Sequence, residues 1–243
     1  MLVLFDIDGT ILSTSGEGRD AMVGAGKAVF GEGFEQKGVS FSGRLDPLII
    51  RDLLIANGIE VTDERVMAVR EAYGARLNEV LTRPGVAQAF VGVMDLIEAF
   101  DAHPDVTLGV LTGNYPETGE AKLRSVGLDP ARFVVPVWGD TSPHDPPHRD
   151  HLPAVGVTLY KALHDRHIDP AEVLVIGDTP HDVRCAKVNG CGVLAVATGR
   201  FSVEELSFET PEHDSADRVV ADLSATAALL EWSLGLMAAG ASG

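Results

Sequence analysis

Four aspartates in two short stretches have side chains suited to metal-assisted chemistry. Asp6 and Asp8 lie two positions apart just before Gly9, and Asp178 and Asp182 lie four positions apart much later in the chain. Four carboxylates in one crevice repel one another unless a cation holds them. Their hard oxygen atoms favour Mg²⁺, which readily shares a phosphate ligand with a substrate. By itself the first stretch is equally typical of a solvated acidic turn. It is not a calcium loop, because no Glu follows at the required spacing.

The acidic stretches follow apolar runs that have the character of buried strands. Such runs occupy residues 2–5, 106–111, 173–176 and 192–197, with a weaker one at 133–135 and a further one at 218–220. Segments of helical periodicity lie between them, at 87–102, 117–126, 152–166 and 181–188. This alternation predicts an α/β fold, a Rossmann-like three-layer parallel sheet with helices on both faces. Ligands bind outside the carboxyl ends of such strands, so the aspartates and residues 112–114 should converge there.

The segment between the first two strands is too long for a simple crossover. About a hundred residues separate Thr10 from Thr112, whereas a crossover unit needs only about thirty. Apolar residues at helical spacing predict helices at 18–30, 46–57 and 62–81. We therefore predict a helical cap domain at 14–86, inserted into a core domain made of 1–13 and 87–243.

Composition limits the classes of partner and the compartment. The net charge is −17, which repels nucleic acid and anionic membranes, so neither is expected as a partner. An anionic substrate would need a metal site and a few well-placed basic side chains. The two cysteines, Cys185 and Cys191, exclude a disulfide scaffold and favour a reducing compartment. The apolar stretch at 225–239 is shorter than a membrane span, so we expect a terminal amphipathic helix there. The start of the chain has no signal-peptide pattern, and we expect a cytoplasmic protein.

Three motifs resemble those of the haloacid dehalogenase superfamily. They are Phe5-Asp6-Ile7-Asp8-Gly9-Thr10, Leu111-Thr112-Gly113-Asn114 and Gly177-Asp178-Thr179-Pro180-His181-Asp182, similar to its first, second and fourth motifs. They occur in the family's order, each at a predicted strand end, and the resemblance covers essentially the whole chain. The insertion between the first two motifs is similar to that of members with a type 1 helical cap, such as phosphoglycolate phosphatases.

The resemblance implies a Mg²⁺-dependent phosphatase. Asp6 would be the nucleophile and form an aspartyl phosphate. Asp8 would protonate the leaving group and then activate water. Asp6, the backbone carbonyl of Asp8, and Asp178 would hold Mg²⁺, while Asp182 would orient a water that the metal binds.

The resemblance also implies the phosphate-binding residues. Thr112 and the backbone amides of Gly113 and Asn114 would bind phosphate oxygens. In capped members, the region around residues 42–46 often faces the site. Arg44 could therefore recognise a carboxylate or phosphate of the substrate. It is as readily a surface residue at the start of a helix.

The third motif departs from the family pattern, which normally offers a lysine at the head of the helix before the fourth motif. Lys161 lies about 18 Å along that helix from the head region, too far to reach the site. Arg149 precedes Asp178 by 29 residues and resembles an arginine variant of the motif, so we expect it to supply the cation. A guanidinium can bridge a carboxylate and a phosphate. The alternative is that Lys161 or Lys122 reaches in and Arg149 is a loop residue.

A histidine-rich segment offers a weaker metal site. His144, His148 and His151 have spacings that could hold a transition metal, but they lie in a proline-rich stretch that we interpret as an irregular loop.

Other functions in the same superfamily stay open. A 2-haloacid dehalogenase would share the nucleophile but lacks the second aspartate, which is present here as Asp8. A phosphonate hydrolase would need a cap lysine in an apolar setting, and the cap offers only Lys27 and Lys37. A phosphomutase would use the same Asp6 and Asp8 pair. A phosphate-binding module without activity is disfavoured by the four intact acids. We expect a phosphatase of a small phosphorylated metabolite, with phosphoglycolate suggested by analogy alone.

Overall fold

The structure, a computed structural model, describes residues 1–208 and 215–240, with side chains as far as residue 236. In this part of the chain the strands are β1 (Leu2–Phe5), β2 (Leu12–Ser13), β3 (Gln88–Ala89), β4 (Thr107–Leu111), β5 (Val135–Val137), β6 (Val173–Gly177), β7 (Gly192–Val196) and β8 (Arg218–Val220). The helices are α1 (Glu17–Phe30), α2 (Asp46–Ala56), α3 (Asp63–Leu81), α4 (Val93–Asp101), α5 (Pro116–Ser125), α6 (Leu152–His164), α7 (Pro180–Val188), α8 (Val203–Ser207) and α9 (Thr226–Gly240).

Six of these strands form one parallel sheet in the order β5-β4-β1-β6-β7-β8. The short apolar strand β1 lies at its centre, with Leu2 opposite both Thr107 and Val173. Its four side chains are fully buried, because helices cover both faces of the sheet. The predicted α/β fold is confirmed.

The prediction for the weakest strand was wrong by two residues. The strand runs over Val135–Val137 instead of 133–135. A short 3₁₀ turn precedes it, and Phe133 uses its aromatic ring to pack against Phe5, at 6.5 Å between ring centroids. Strand β5 is at an edge of the sheet, which accommodates Pro136, a residue without an N–H to donate.

The predicted helix at 87–102 also began too early. Helix α4 starts at Val93, after Gly92 in a left-handed conformation with φ of 79°. The residues before it form β3, which pairs antiparallel with β2. The helical spacing of apolar residues placed the predicted helix over this strand as well. A strand of two residues is too short to show the alternating pattern that would have identified it.

Helices α1, α2 and α3 lie between β2 and β3 and pack on one another around a separate apolar cluster that includes Ile50, Leu53 and Tyr73. The two-residue ribbon of β2 and β3 closes the base of this insertion. The cap proposed at 14–86 would consist of these three helices, and this segment is called the cap below. The division into two domains stays a proposal.

The helix that was expected near the end of the chain is α9. It packs on the core through Leu229 and Ser233, which are fully buried one turn apart. The side chains of 237–239, the last part of the expected apolar stretch, lie outside the described residues. Within the described residues, every helix is too short or too polar to cross a bilayer.

Candidate active site

Three aspartates meet at the carboxyl end of the parallel strands. Asp6 follows β1, Asp178 follows β6, and Asp182 lies in the first turn of α7. One carboxylate oxygen from each lies within 4.8 Å of the others, and all three side chains are buried. In the described part of the chain, this is the one group of three or more acidic, histidine or cysteine side chains close enough to share a metal ion.

Arg149 is the cation inside this acidic cluster. It begins a 3₁₀ turn immediately before α6 and is 5% exposed. Its Nη2 lies 3.0 Å from Asp6 Oδ1 and 2.5 Å from Asp182 Oδ1. Burial raises the pKa of Asp6 to about 7, although the Arg149 guanidinium acts to lower it. Lys161, the alternative in this helix, is exposed on α6.

Asp178 is a buried carboxylate with little compensation from the protein. The Thr10 hydroxyl donates to it at 3.4 Å. Burial, together with the charges of Asp182 and Asp6, holds the pKa of Asp178 well above its ordinary value. Two glycines crowd it: a Cβ on Gly199 would lie 1.7 Å, and one on Gly9 2.3 Å, from Asp178 Oδ2. Hard oxygens that the protein leaves nearly without donors are suited to a cation such as Mg²⁺.

Asp182, by contrast, is held on both oxygens. Its Oδ2 accepts hydrogen bonds from the backbone N–H of Thr179 at 3.0 Å and from the Thr179 hydroxyl at 2.7 Å. Its Oδ1 accepts a hydrogen bond from Arg149 Nη2. This capping arrangement at the start of α7 fixes Asp182 in place and leaves it less free than Asp178 to bind a metal directly.

Asp8 stands apart from the three buried acids, on the side of the second motif. Its side chain is 45% exposed and faces the cavity. Asn114 Nδ2 donates to Asp8 Oδ2 at 2.7 Å, and Lys122 Nζ contacts both oxygens, at 2.8 and 2.6 Å. Sequence reasoning weighed Lys122 as a substitute for Arg149 and missed this contact.

A signal for Lys122 was present in the sequence. Helix α5 buries Thr118, Gly119, Lys122 and Leu123, which are four consecutive members of one helical stripe. A lysine at a core-facing position of an otherwise buried stripe indicates that its charge has a partner inside the protein.

The second-motif loop has the geometry of a small anion cradle. Thr112 is fully buried, and its Oγ1 accepts hydrogen bonds from Asn114 Nδ2 at 2.8 Å and from the Asn114 backbone at 3.4 Å. The hydroxyl proton of Thr112 is therefore left to be donated elsewhere. Gly113 touches the cap so closely that a Cβ there would lie 1.9 Å from the carbonyl oxygen of Arg44.

The cap residue Arg44 lies on the wall of the cavity, but its guanidinium is engaged within the cap. Its Nη2 lies 2.6 Å from Asp52 Oδ2. The following helix also contacts the core, since the Asp46 backbone donates to the Gly113 carbonyl at 2.7 Å.

The three histidines of the proline-rich loop pack ring against ring. His151 lies 4.4 Å from His144 and 5.9 Å from His148 between ring centroids. The Nδ1 of His151 is occupied by Ser142, at 2.8 Å, and by the backbone of His148. Within the described residues they do not form a metal-binding group.

The cap and the core enclose a cavity of about 370 Å³ above the acidic cluster. Apolar cap side chains, among them Met22, Phe41 and Tyr73, form part of its wall. Among the described residues, the basic side chains that line it are Arg19, Arg44, Lys122, Arg149 and Arg200. The lining also carries four aspartates, Asp6, Asp8, Asp46 and Asp178. The five basic side chains offset these acids within a protein of net charge −17, which an anionic ligand would require.

Comparison with known proteins gives one consistent result. A family model described as haloacid dehalogenase-like hydrolase matches residues 3–196. The chain is 26% identical over 211 residues to "Probable phosphatase IndB" of Dickeya dadantii (strain 3937), covering 87% of each chain. It resembles a hydrolase from Pseudomonas syringae, with a TM-score of 0.67, 22% identity, and coverage of 95% of this chain and 97% of that one. It also resembles CbbY from Rhodobacter sphaeroides, solved with phosphate, with a TM-score of 0.67, 20% identity, and coverage of 92% and 94%.

Proposed function

The chain belongs to the haloacid dehalogenase-like hydrolase family and is an enzyme of its phosphatase kind, and from that premise we propose a specific reaction. The enzyme hydrolyses a phosphate ester of a small metabolite, depends on Mg²⁺, and passes through an aspartyl phosphate, an acyl phosphate formed on the side chain of Asp6. The observation that carries the proposal is that Asp6 and Asp8 line the same cavity and that each carboxylate contacts its own buried cation. Arg149 contacts Asp6, and Lys122 contacts Asp8.

Asp6 is the proposed nucleophile. Arg149 anchors one of its oxygens from the side of α6, which fixes the direction in which the carboxylate faces the cavity. Attack of an Asp6 oxygen on phosphorus forms one P–O bond as the bond to the leaving alcohol breaks. Because the reacting groups are both anionic, positioning and charge neutralisation matter more in this reaction than covalent help.

Asp8 is the proposed acid and base. In the first step it gives its proton to the leaving oxygen, and in the second it takes a proton from the water that attacks the aspartyl phosphate. Its side chain lines the cavity, contacts Asn114 of the second-motif loop, and is outside the group of three acids that could share a metal, which suits this separate role.

The phosphoryl oxygens are proposed to bind at the second-motif loop. The free hydroxyl proton of Thr112 and the backbone amides of Gly113 and Asn114 supply donors. Arg149, whose Nη2 lies 3.5 Å from the Leu111 carbonyl oxygen just before this loop, supplies charge. The side chain of Asn114 is already committed to Asp8, Thr112 and Lys122, so its contribution here is limited to the backbone.

Asp6, Asp178 and the backbone carbonyl of Asp8 are the proposed Mg²⁺ ligands. The poorly compensated Asp178 carboxylate supports this assignment, and Asp182, already held on both oxygens, would orient a water of the metal. When bound, Mg²⁺ would supply positive charge that lowers the repulsion between the Asp6 carboxylate and the phosphoryl group.

The substrate is proposed to be a small phosphorylated metabolite, which a cavity of about 370 Å³ can enclose. Arg44 can contact it only if the guanidinium leaves Asp52 or contacts both groups.

We also propose a reducing compartment, the cytoplasm, for this enzyme. Both cysteines are free, buried thiols whose pKa burial raises, that of Cys191 to about 12.

The test is phosphate release from an aryl phosphate, measured with Mg²⁺, with EDTA, and in an Asp6→Asn variant. We expect release to require Mg²⁺ and to vanish in Asp6→Asn. The matched control is Asp101→Asn, which removes a surface aspartate that pairs with Arg132, and it should behave like the unmodified enzyme. Activity that survives EDTA or Asp6→Asn contradicts the mechanism. Metal-independent halide release from a 2-haloacid would favour a dehalogenase, and phosphoryl transfer between sugar phosphates a phosphomutase.

A further inference from the structure

Lys122 is buried at the edge of the cavity, with 3% of its surface exposed. Its Nζ contacts Asp8 Oδ1 at 2.8 Å, Asp8 Oδ2 at 2.6 Å and Asn114 Oδ1 at 2.7 Å. A protonated lysine has three N–H donors and accepts no hydrogen bond. The three contacts match the three donors, so no donor of Lys122 is left for a substrate.

Asn114 completes the arrangement from the other side. Its carbonyl oxygen receives Lys122, and its Nδ2 donates to Asp8 Oδ2 at 2.7 Å and to Thr112 Oγ1 at 2.8 Å. The amide orientation is therefore fixed by a donor and two acceptors. Asp8 is joined through Asn114 to the loop that is proposed to bind phosphate.

Helix α1 of the cap covers the Lys122 end of this network. A Cβ on Gly18 of α1 would lie 3.7 Å from Lys122 Cε and from Nζ, which is ordinary contact distance. A second carboxyl from the cap, Asp46, is buried near the same site, and burial raises its pKa to about 7 although the charge of Lys122 opposes this. The ion pair of Lys122 is made with Asp8, the more exposed of these two acids.

We propose that Lys122 is a positioning residue for Asp8: with Asn114, it fixes the carboxylate in the orientation needed for proton transfer to the leaving oxygen. This inference rests on the proposed function of Asp8. A carboxylate that is 45% exposed would otherwise rotate among several orientations, and proton transfer requires one of them.

The alternative role for a buried lysine beside a phosphate-binding loop is direct contact with the substrate. The two roles predict different kinetics. Loss of a substrate contact raises KM, and its effect persists when Asp8 is altered. Loss of a positioning contact lowers kcat with little change in KM, and it has nothing left to act on once Asp8 can no longer transfer a proton.

The experiment measures kcat and KM for Lys122→Met, alone and combined with Asp8→Asn, with 4-nitrophenyl phosphate and phenyl phosphate. We expect Lys122→Met to lower kcat about 100-fold with a change in KM of less than about twofold. The loss should be larger for phenyl phosphate, whose poorer leaving group needs the proton more. In the Asp8→Asn background, Lys122→Met should change kcat by less than about twofold.

The matched control is Lys187→Met. Lys187 also pairs with an aspartate, Asp217, at 2.6 Å, but it lies at the far end of α7 and does not line the cavity. It should leave kcat and KM unchanged. If Lys122→Met does not fold, as judged by circular dichroism, Lys122→Arg takes its place, since it keeps the charge but cannot repeat the three contacts of an ammonium group.

Two results would overturn the inference: an equal loss of kcat in both backgrounds, or a raised KM with kcat unchanged. Failure of the proposed function is recognised separately in the same assay. It would appear as unmodified enzyme that releases no phosphate with Mg²⁺, or as Asp6→Asn that still does.

Discussion

Replacing Arg149 by Met should destabilise the protein and inactivate it, whereas the same change at Lys161 should do neither. Arg149 is 5% exposed and contacts a carboxylate oxygen of Asp6 at 3.0 Å and one of Asp182 at 2.5 Å. Removing one partner of a buried ion pair leaves the other charge uncompensated, which typically costs about 3–5 kcal/mol. We expect a loss of that size in the free energy of unfolding. Lys161→Met, at an exposed position, should change it by less than about 0.5 kcal/mol.

The pH dependence of this loss has a definite sign. Burial raises the pKa of Asp6 to about 7 even with Arg149 acting to lower it, so the pKa should rise further in the variant. A group whose pKa is raised by folding contributes stability at low pH that is lost as the pH rises through its folded pKa. The deficit of Arg149→Met should therefore be larger at about pH 8.5 than at about pH 5.5.

The assay is urea unfolding in EDTA, followed by circular dichroism at both pH values, together with phosphate release at saturating Mg²⁺. We expect kcat to fall at least about 100-fold in Arg149→Met, as on losing a group that neutralises charge in the transition state. A deficit below about 1 kcal/mol, or one that grows as the pH falls, would refute the assignment of Arg149 as the cation of the acidic cluster.

Three further substitutions test neighbouring parts of the site. The pKa of Asp46 is raised by burial to about 7 from 3.8, so its ionisation should cost the folded state about 4 kcal/mol above pH 7. Asp46→Asn should therefore raise the free energy of unfolding in urea titrations, and by more at about pH 8.5 than at about pH 5. An equal gain at the two pH values would contradict the raised pKa of Asp46. Gly113→Ala would place a Cβ 1.9 Å from a carbonyl oxygen of the cap, so kcat/KM should fall at least about tenfold; an unchanged value would mean that this close contact is dispensable. Gly199→Ala would place a Cβ 1.7 Å from Asp178 Oδ2, and calorimetry should find Mg²⁺ bound about 10–100-fold more weakly. Gly33→Ala, where nothing lies within 4 Å, is the control, and equal Mg²⁺ affinity in both variants would argue against Asp178 as a ligand.

Some of the candidate site could be predicted because its residues follow strands. Asp6, Thr112 and Asp178 each come directly after a buried apolar run. In a parallel sheet the carboxyl ends of the strands lie on the same side, so residues at these positions come together. Arg149 could be proposed from its spacing before Asp178. Its contacts with two aspartates depend on how the loop before α6 folds back over the sheet.

Lys122 illustrates the part that sequence reasoning did not reach. It lies on α5, 114 positions from Asp8, and no local pattern states which buried charge it meets. The helical stripe of α5 indicates that Lys122 faces inward. The identity of its partner depends on the packing of α5 beside the first-motif loop and beneath helix α1 of the cap.

The sequence by itself determined the α/β fold, the order of the motifs, and the convergence of Asp6 and Asp178 at the carboxyl ends of the strands. These features follow from hydrophobic periodicity, which is local, and from the geometry of parallel strands. Only the tertiary structure decided how the charges pair. It placed Arg149 between Asp6 and Asp182, Lys122 on Asp8, and Arg44 on Asp52. The physical reason is that an ion pair forms between groups that folding brings within about 4 Å, and distances of that size between remote segments are set by the packing of whole elements.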